Sequence, residues 1–293
     1  MLLPSRDARI AAGVFVLALV PFVWFYGGAG WNQDAHFDLT RALVERGTLH
    51  IDGYEANTGD VSTGRDGHVY INKAPGVSFL AAIPYAFVRG GEALFRMPLT
   101  EELSSTNIRI VTAITCGIPG AAIGSLLFLY GRRRAGAATD HAILVAVSIL
   151  FGTIVFAYST MLFAHVPAAL FLLLAFLLIP DRPLAAGIAA GIATTCFYVC
   201  AIAVPVLAVL AFRRSSRSAM RFLAGGFPFA LLLGLYHWIC FGSPFRTAVE
   251  ASTFTHEGLL FGVLRLPSLE ALEGLTVSPY RGLFFASPVL LFA

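Results

Sequence analysis

IAAGVFVLALVPFVWFYGGAGWNQDAHFD, residues 10–38, changes character at its midpoint. Residues 10–26 carry no charge, and then Asp34, His36 and Asp38 arrive within a few positions of one another. An apolar run of this kind is what a chain needs to enter a bilayer as helix, because about 20 helical residues cross the hydrocarbon with every backbone group bonded internally. The charged side chains then mark where the chain leaves the membrane. Arg6 and Arg9 precede the run, and Gly28-Ala29-Gly30 follows it. That order also fits a cleavable signal peptide. An uncleaved first helix is the preferred reading, since the rest of the chain repeats the pattern.

Of 293 residues, 57% are hydrophobic and only 13% charged, with mean hydropathy +0.77. A soluble chain carries about 25% charged residues. Further apolar segments run over 74–88, 108–130, 141–160, 163–180, 184–212 and 221–241, and another begins near 283. The alternating segments of a membrane β-barrel are absent. The expected fold is therefore all-α, a polytopic transmembrane helical bundle. The segment from 283 stops at Phe292-Ala293, too short to span, so a truncated C-terminus is expected. Cys116, Cys196, Cys200 and Cys240 all lie inside apolar runs and read as packing residues, not as a disulfide or zinc framework.

Orientation follows from basic residues in short loops, which stay in the cytoplasm. Arg6 and Arg9, Arg132 to Arg134, Arg182, and Arg213, Arg214, Arg217 and Arg221 are such marks. One crossing puts 27–73 outside. The Arg triplet requires an odd number of crossings after that loop, so 74–88, with Pro75 and Pro84, reads as a juxtamembrane or re-entrant helix and 108–130 returns the chain inward. The 184–212 run is basic at both flanks and reads as two short halves meeting near Thr194 to Tyr198. Segment 221–241 exits, and 242–282 is a second outside loop. About seven crossings result, plus the truncated eighth.

Seven of the seventeen acidic residues fall in the loop at 27–73, while the membrane segments hold almost no ionisable groups, His237 and His165 being the main ones. An ion-driven transporter normally carries charges inside its bundle. Chemistry is expected instead at the outer boundary. A carboxylate there can serve as general base for an acceptor hydroxyl, and a cation can hold a departing phosphate. Asp34 and Lys73, the only lysine, stand at the two membrane-proximal ends of the loop, where the fold can bring them together. Asp-Ala-His-Phe-Asp alternates ligand types on a helix start and does not converge on a metal. Asp34 and Asp38 share a helical face, which Arg41 and Glu45 continue as an ion pair. No P-loop or dinucleotide fingerprint is present.

The layout resembles the GT-C class of membrane glycosyltransferases, in its protein O-mannosyltransferase and lipid A aminoarabinose transferase branch, the family 39-like enzymes. The similarity rests on an N-terminal helix, an outside loop with an early Asp (Asn32-Gln33-Asp34), and a Lys-Pro-Pro-like turn (Lys73-Ala-Pro75-Gly76) leading into a short helix. An Arg-rich turn and a basic-flanked short-helix pair follow. The turn departs from the pattern as Lys-Ala-Pro. Two further elements are replaced by Phe163-Ala-His165-Val and by Thr195-Cys-Phe-Tyr198. The resemblance implies transfer of a sugar from a polyprenyl-phosphate donor to a protein, lipid or glycan acceptor on the outer face of the plasma (inner) membrane. It implies Asp34 as the catalytic base. Lys73, Asp38, His165, Arg281 and Tyr70 are its candidates for contacting donor phosphate or acceptor. No cofactor is required and a divalent metal is left open; membrane lipids are partners and nucleic acid is not. A transporter or lipid flippase, and a non-catalytic scaffold, are the competing readings.

Overall fold

The computed structural model describes residues 5–98, 100–252, 268–280 and 282–292. It is mostly helical, at 72%. The helices are α1 (Arg6–Trp24), α2 (Trp31–Arg41), α3 (Gly76–Leu94), α4 (Glu101–Thr112), α5 (Ile118–Arg133), α6 (Thr139–Phe151), α7 (Val155–Ser159), α8 (His165–Leu178), α9 (Pro183–Cys196), α10 (Ala203–Arg214), α11 (Ser216–Phe241), α12 (Leu269–Thr276) and α13 (Leu283–Ala286). Three helices are long and apolar enough to cross a membrane: α1, the continuous helix Glu101–Arg133 that holds α4 and α5, and α11. The apolar helices α6, α8 and α9 have 13, 14 and 14 residues. Each is about 20 Å long against roughly 30 Å of hydrocarbon, shorter than the sequence runs that contain them.

The chain divides into two compact units. The first holds α1, α5, α6, α7, α12 and α13. Its core is Ala18, Phe22, Ala121, Phe128, Ala146 and Leu150, with Phe22 edge-on to Phe156 at 5.7 Å. Glycines let the helices approach closely: a Cβ at Gly120 or Gly124 would collide with Ser159 or Leu150. At one end Asp7 of α1 meets Arg132 of α5 at 3.3 Å. This pair brings the N-terminal arginines and the Arg132–Arg134 triplet to the same end of the antiparallel helices.

The second unit holds α2, α3, α4 and α8 to α11. Helix α9 packs on α11 through Gly187 and Gly191, where an added Cβ would strike the Phe222 carbonyl and the Phe229 ring. This Gly-x-x-x-Gly spacing lets the two backbones approach closely. Helix α9 stops at Cys196 because Phe197 is extended (φ −148°, ψ 110°); a 3₁₀ turn, Tyr198–Ile202, then leads into α10. The break lies within the Thr194–Tyr198 stretch read from the basic flanks. Ser215 separates α10 from α11 and caps the latter by accepting from Ser218 N–H at 3.0 Å.

Two features differ from the sequence reading. Helix α3 runs to Leu94, six residues past the expected end, because Gly90 and Gly91 interrupt the apolar pattern without breaking the backbone ladder. The first loop is not only helical. Val61–Thr63 (β1) and Val69–Ile71 (β2) pair antiparallel, Val61 with Ile71 and Thr63 with Val69. The β-branched residues favour strands, and Gly64 and Gly67 (φ +83°) allow the turn between them. A small core, Ala35, Leu39, Ala42, Ile51 and Ile71, fastens the hairpin to α2. The only strands among the described residues are these two.

Candidate functional site

Asp60 and Asn72 extend the hairpin by one pair, with Asn72 N–H donating to the Asp60 carbonyl at 3.0 Å. The pairing stations Asp60 beside the residue that follows Asn72. Lys73 Nζ sits 3.0 Å from Asp60 Oδ1, and Asn72 Nδ2 reaches the same oxygen at 3.4 Å. Asn72 is 5% exposed, and its own Oδ1 is buried with no hydrogen-bond partner among the described residues.

These residues line a cavity of about 390 Å³. Asn32 and His36 enter it from α2, one helical turn apart. His165 comes from the start of α8, and Phe197 and Tyr198 from the break after α9. Gly76 holds the far wall in place, since its α-carbon lies so near α9 that a Cβ would stand 2.5 Å from the Thr195 carbonyl carbon.

His36 is 1% exposed. Ser78 Oγ donates its proton to the His36 carbonyl at 2.9 Å, so toward His36 Nδ1, at 3.4 Å, it can only accept. Nδ1 therefore carries the ring proton and Nε2 keeps its lone pair. Burial, reinforced by the Lys73 charge, pushes the imidazole down to about 3, which keeps it neutral at ordinary pH. The cavity thus presents one cation, Lys73, balanced by one carboxylate, Asp60, among neutral polar groups.

A second cavity of about 830 Å³ shares Tyr198 and Val199 with the first. Its wall is apolar, including Ile202, Leu231, Leu235, Trp238 and Phe245. Its few polar residues are Thr194, Tyr198, His237 and Thr247, and His237 Nε2 lies 2.9 Å from the Tyr198 hydroxyl.

The sequence candidates divide accordingly. Lys73 and His165 line the polar cavity together. Asp34, Asp38 and Tyr70 do not; the expected approach of Asp34 to Lys73 is replaced by Asp60. The reason is helical phase: Asn32 and His36 occupy one face of α2, and Asp34 and Asp38 the opposite one. Burial raises the half-buried Asp34 carboxyl. Asp38 is fully enclosed, accepts only from Asn57 Nδ2 at 3.4 Å, and is pushed up by burial to about 7. Tyr70 is buried, donates to Asp66 at 2.8 Å and packs on Phe241. Arg41 and Glu45 pair at 3.2 Å as expected, and Tyr54 and Tyr85 also donate to Glu45. Arg281 lies outside the described residues. The sequence reading missed Asp60 and Asn72, although a hairpin around Gly-Arg-Asp-Gly in residues 64–67 is the signal that pairs them.

Comparison of the chain with protein-family models, with curated proteins and with solved structures found no match.

Proposed function

We propose that the chain is an integral membrane glycosyltransferase of the GT-C kind, moving a sugar from a polyprenyl-phosphate donor to an acceptor on the extracytoplasmic face. One observation carries the reading: the cavity containing Lys73 and Asp60 adjoins a larger apolar cavity across Tyr198 and Val199. A lipid phosphate needs that pairing, an apolar trough for isoprene units and a cation at its mouth. Asn72 Oδ1, buried and unpartnered, supplies an acceptor suited to a sugar hydroxyl.

In this mechanism the donor phosphate takes Lys73, which releases Asp60 from its ion pair. The acceptor hydroxyl oxygen attacks the anomeric carbon and its proton passes to Asp60. The bond from that carbon to the phosphate oxygen breaks, and the electron pair leaves with the polyprenyl phosphate, whose added charge Lys73 holds. The resemblance assigns the base to Asp34; position in the cavity favours Asp60. The proposed topology keeps the N-terminus in the cytoplasm of a plasma-membrane, multi-pass protein with the site outside. The Asp7–Arg132 pair supports it by keeping two basic flanks at one end.

The test is transfer of labelled sugar from a panel of polyprenyl-phosphate donors in proteoliposomes. Lys73→Met and Asp60→Asn are expected to lose about 10²-fold or more, and Asp34→Asn little. Loss in Asp34→Asn with Asp60→Asn active would return the base to Asp34. No transfer by the unaltered protein from any donor would reject the enzyme and leave the transporter and scaffold readings.

A further inference from the structure

The first loop carries a second cluster that the proposed reaction does not use. Ile51 turns into the core beneath the hairpin, and its N–H donates to the Val69 carbonyl at 2.8 Å. The stretch 50–52 therefore runs beside the start of β2, and by strand alternation His50 and Asp52 project together on the side opposite Ile51. His68, immediately before β2, faces them.

Asp52 Oδ2 is 2.5 Å from His68 Nδ1 and 3.4 Å from His50 Nδ1. These three atoms all lie within 4.8 Å of one another. The two imidazoles stack at 4.3 Å, 15° from parallel. His50 Nδ1 is enclosed and makes no hydrogen bond among the described residues. The other carboxylate oxygen, Asp52 Oδ1, accepts from Val69 N–H at 2.8 Å, which fixes the carboxylate's orientation from behind. That arrangement is how ligating carboxylates are held.

We propose that His50, Asp52 and His68 form a binding site for a divalent transition-metal ion of the zinc type, with the remaining coordination position open to solvent. Two imidazole nitrogens and one carboxylate suit Zn²⁺ and not Mg²⁺ or Ca²⁺, which take oxygen ligands. Tetrahedral bonds of about 2.0–2.1 Å place ligand atoms roughly 3.3 Å apart. The His50–Asp52 separation already meets this. The His68–Asp52 contact opens by about 0.8 Å as the metal replaces the proton between them, and the stacked rings splay so that both lone pairs point at the ion. The bound ion clips the 50–52 stretch to the hairpin.

The experiment uses the full chain in detergent, stripped with a chelator and titrated with Zn²⁺ against a chromogenic competitor. The expected result is one ion per chain at micromolar or tighter affinity, with a higher melting temperature. Asp52→Asn and His68→Gln each weaken it about tenfold or more. His141→Gln, at an exposed His–Asp pair with a 3.7 Å separation, leaves it unchanged. Substitution of Co²⁺ reads the site without any variant: strong visible bands are expected of a four-coordinate ion. Absence of binding, equal affinity in Asp52→Asn and His68→Gln, or only the weak bands of hydrated Co²⁺ would each overturn the proposal. None of these readouts depends on glycosyl transfer.

Discussion

Asp38→Asn is expected to stabilise the protein at neutral and alkaline pH, although it removes a charge from the most acidic loop. Asp38 is 0% exposed, its Oδ2 has no hydrogen-bond partner, and its Oδ1 accepts only from Asn57. Burial raises the carboxyl from 3.8 to about 7, against the smaller downward pulls of Asn57 and Arg41. At pH below about 4 the group is protonated in both folded and unfolded chains and has no effect on the balance. Between about 4 and 7 the unfolded chain ionises while the folded one does not, so stability falls as pH rises. Above 7 both are ionised and the penalty is constant. A shift of about 3 units corresponds to roughly 4 kcal/mol. That is about 6–7 °C of melting temperature at the unfolding entropy usual for a chain of 293 residues. Asparagine can still accept from Asn57, so the variant loses the penalty and keeps the contact. Thermal unfolding of both proteins from pH 4.5 to 8.5 is the assay, with the infrared carbonyl stretch of a protonated carboxyl as a direct readout. The reasoning predicts curves that meet in acid and diverge toward pH 7, and a carboxyl band at pH 6 that Asp38→Asn lacks. Parallel curves, or no such band, would refute it.

Three further substitutions test the packing around the site and along α3. Glu45→Gln leaves Arg41, Tyr54 and Tyr85 with a weaker acceptor and is expected to cost about 1–3 kcal/mol at pH 7, measured by thermal unfolding. Burial raises the Glu45 carboxyl, but Tyr85, Tyr54 and Arg41 outweigh it and hold it below its usual value, so the difference between the proteins should shrink as the pH drops through that lowered range. Gly76→Ala drives a methyl group into the backbone at Thr195 and is expected to cost about 1–3 kcal/mol, whereas Gly90→Ala on the same helix meets nothing within 4 Å and should gain about 0.5–1 kcal/mol. Equal melting temperatures for the two alanine variants would refute the close abutment of α3 on α9.

Much of the helical framework is legible because lipid and water demand different residues. The uncharged run after Arg9 is α1, and the break expected between the basic flanks of 184–212 falls at Phe197. Helix lengths were less legible. Hydropathy averages over a window, whereas a helix ends where its backbone hydrogen bonds end. Thus the single run read over 141–160 is α6, which already begins at Thr139, an irregular turn and α7, while α3 outruns its apolar stretch by continuing through the Gly90-Gly91 pair. The hairpin was missed because strands of three residues give no periodicity to count.

The site turns on that same omission. Read as a featureless loop, residues 58–76 offer several carboxylates with nothing to rank them, and Asp34 stands out for its nearness to the first helix. Helical phase already argues against it: a residue two positions from both Asn32 and His36 points to the other side of α2. Strand register then supplies the replacement. Once Val61 pairs with Ile71, the next rung is Asp60 with Asn72, and the residue after Asn72 is the chain's single lysine. Lys73 was recognisable by type alone, since a lone lysine among nineteen arginines at a membrane boundary is conspicuous. Its partner was not, because which carboxylate meets a cation is decided by backbone pairing and not by distance along the chain. An ion pair of 3.0 Å across the twelve intervening residues 61–72, already folded back by the hairpin, needs little further loop entropy to form, so Asp60 holds Lys73 before any ligand arrives. In the proposed reaction a donor phosphate entering the cavity competes for that lysine, and the carboxylate it displaces is released where the acceptor's proton is to be taken.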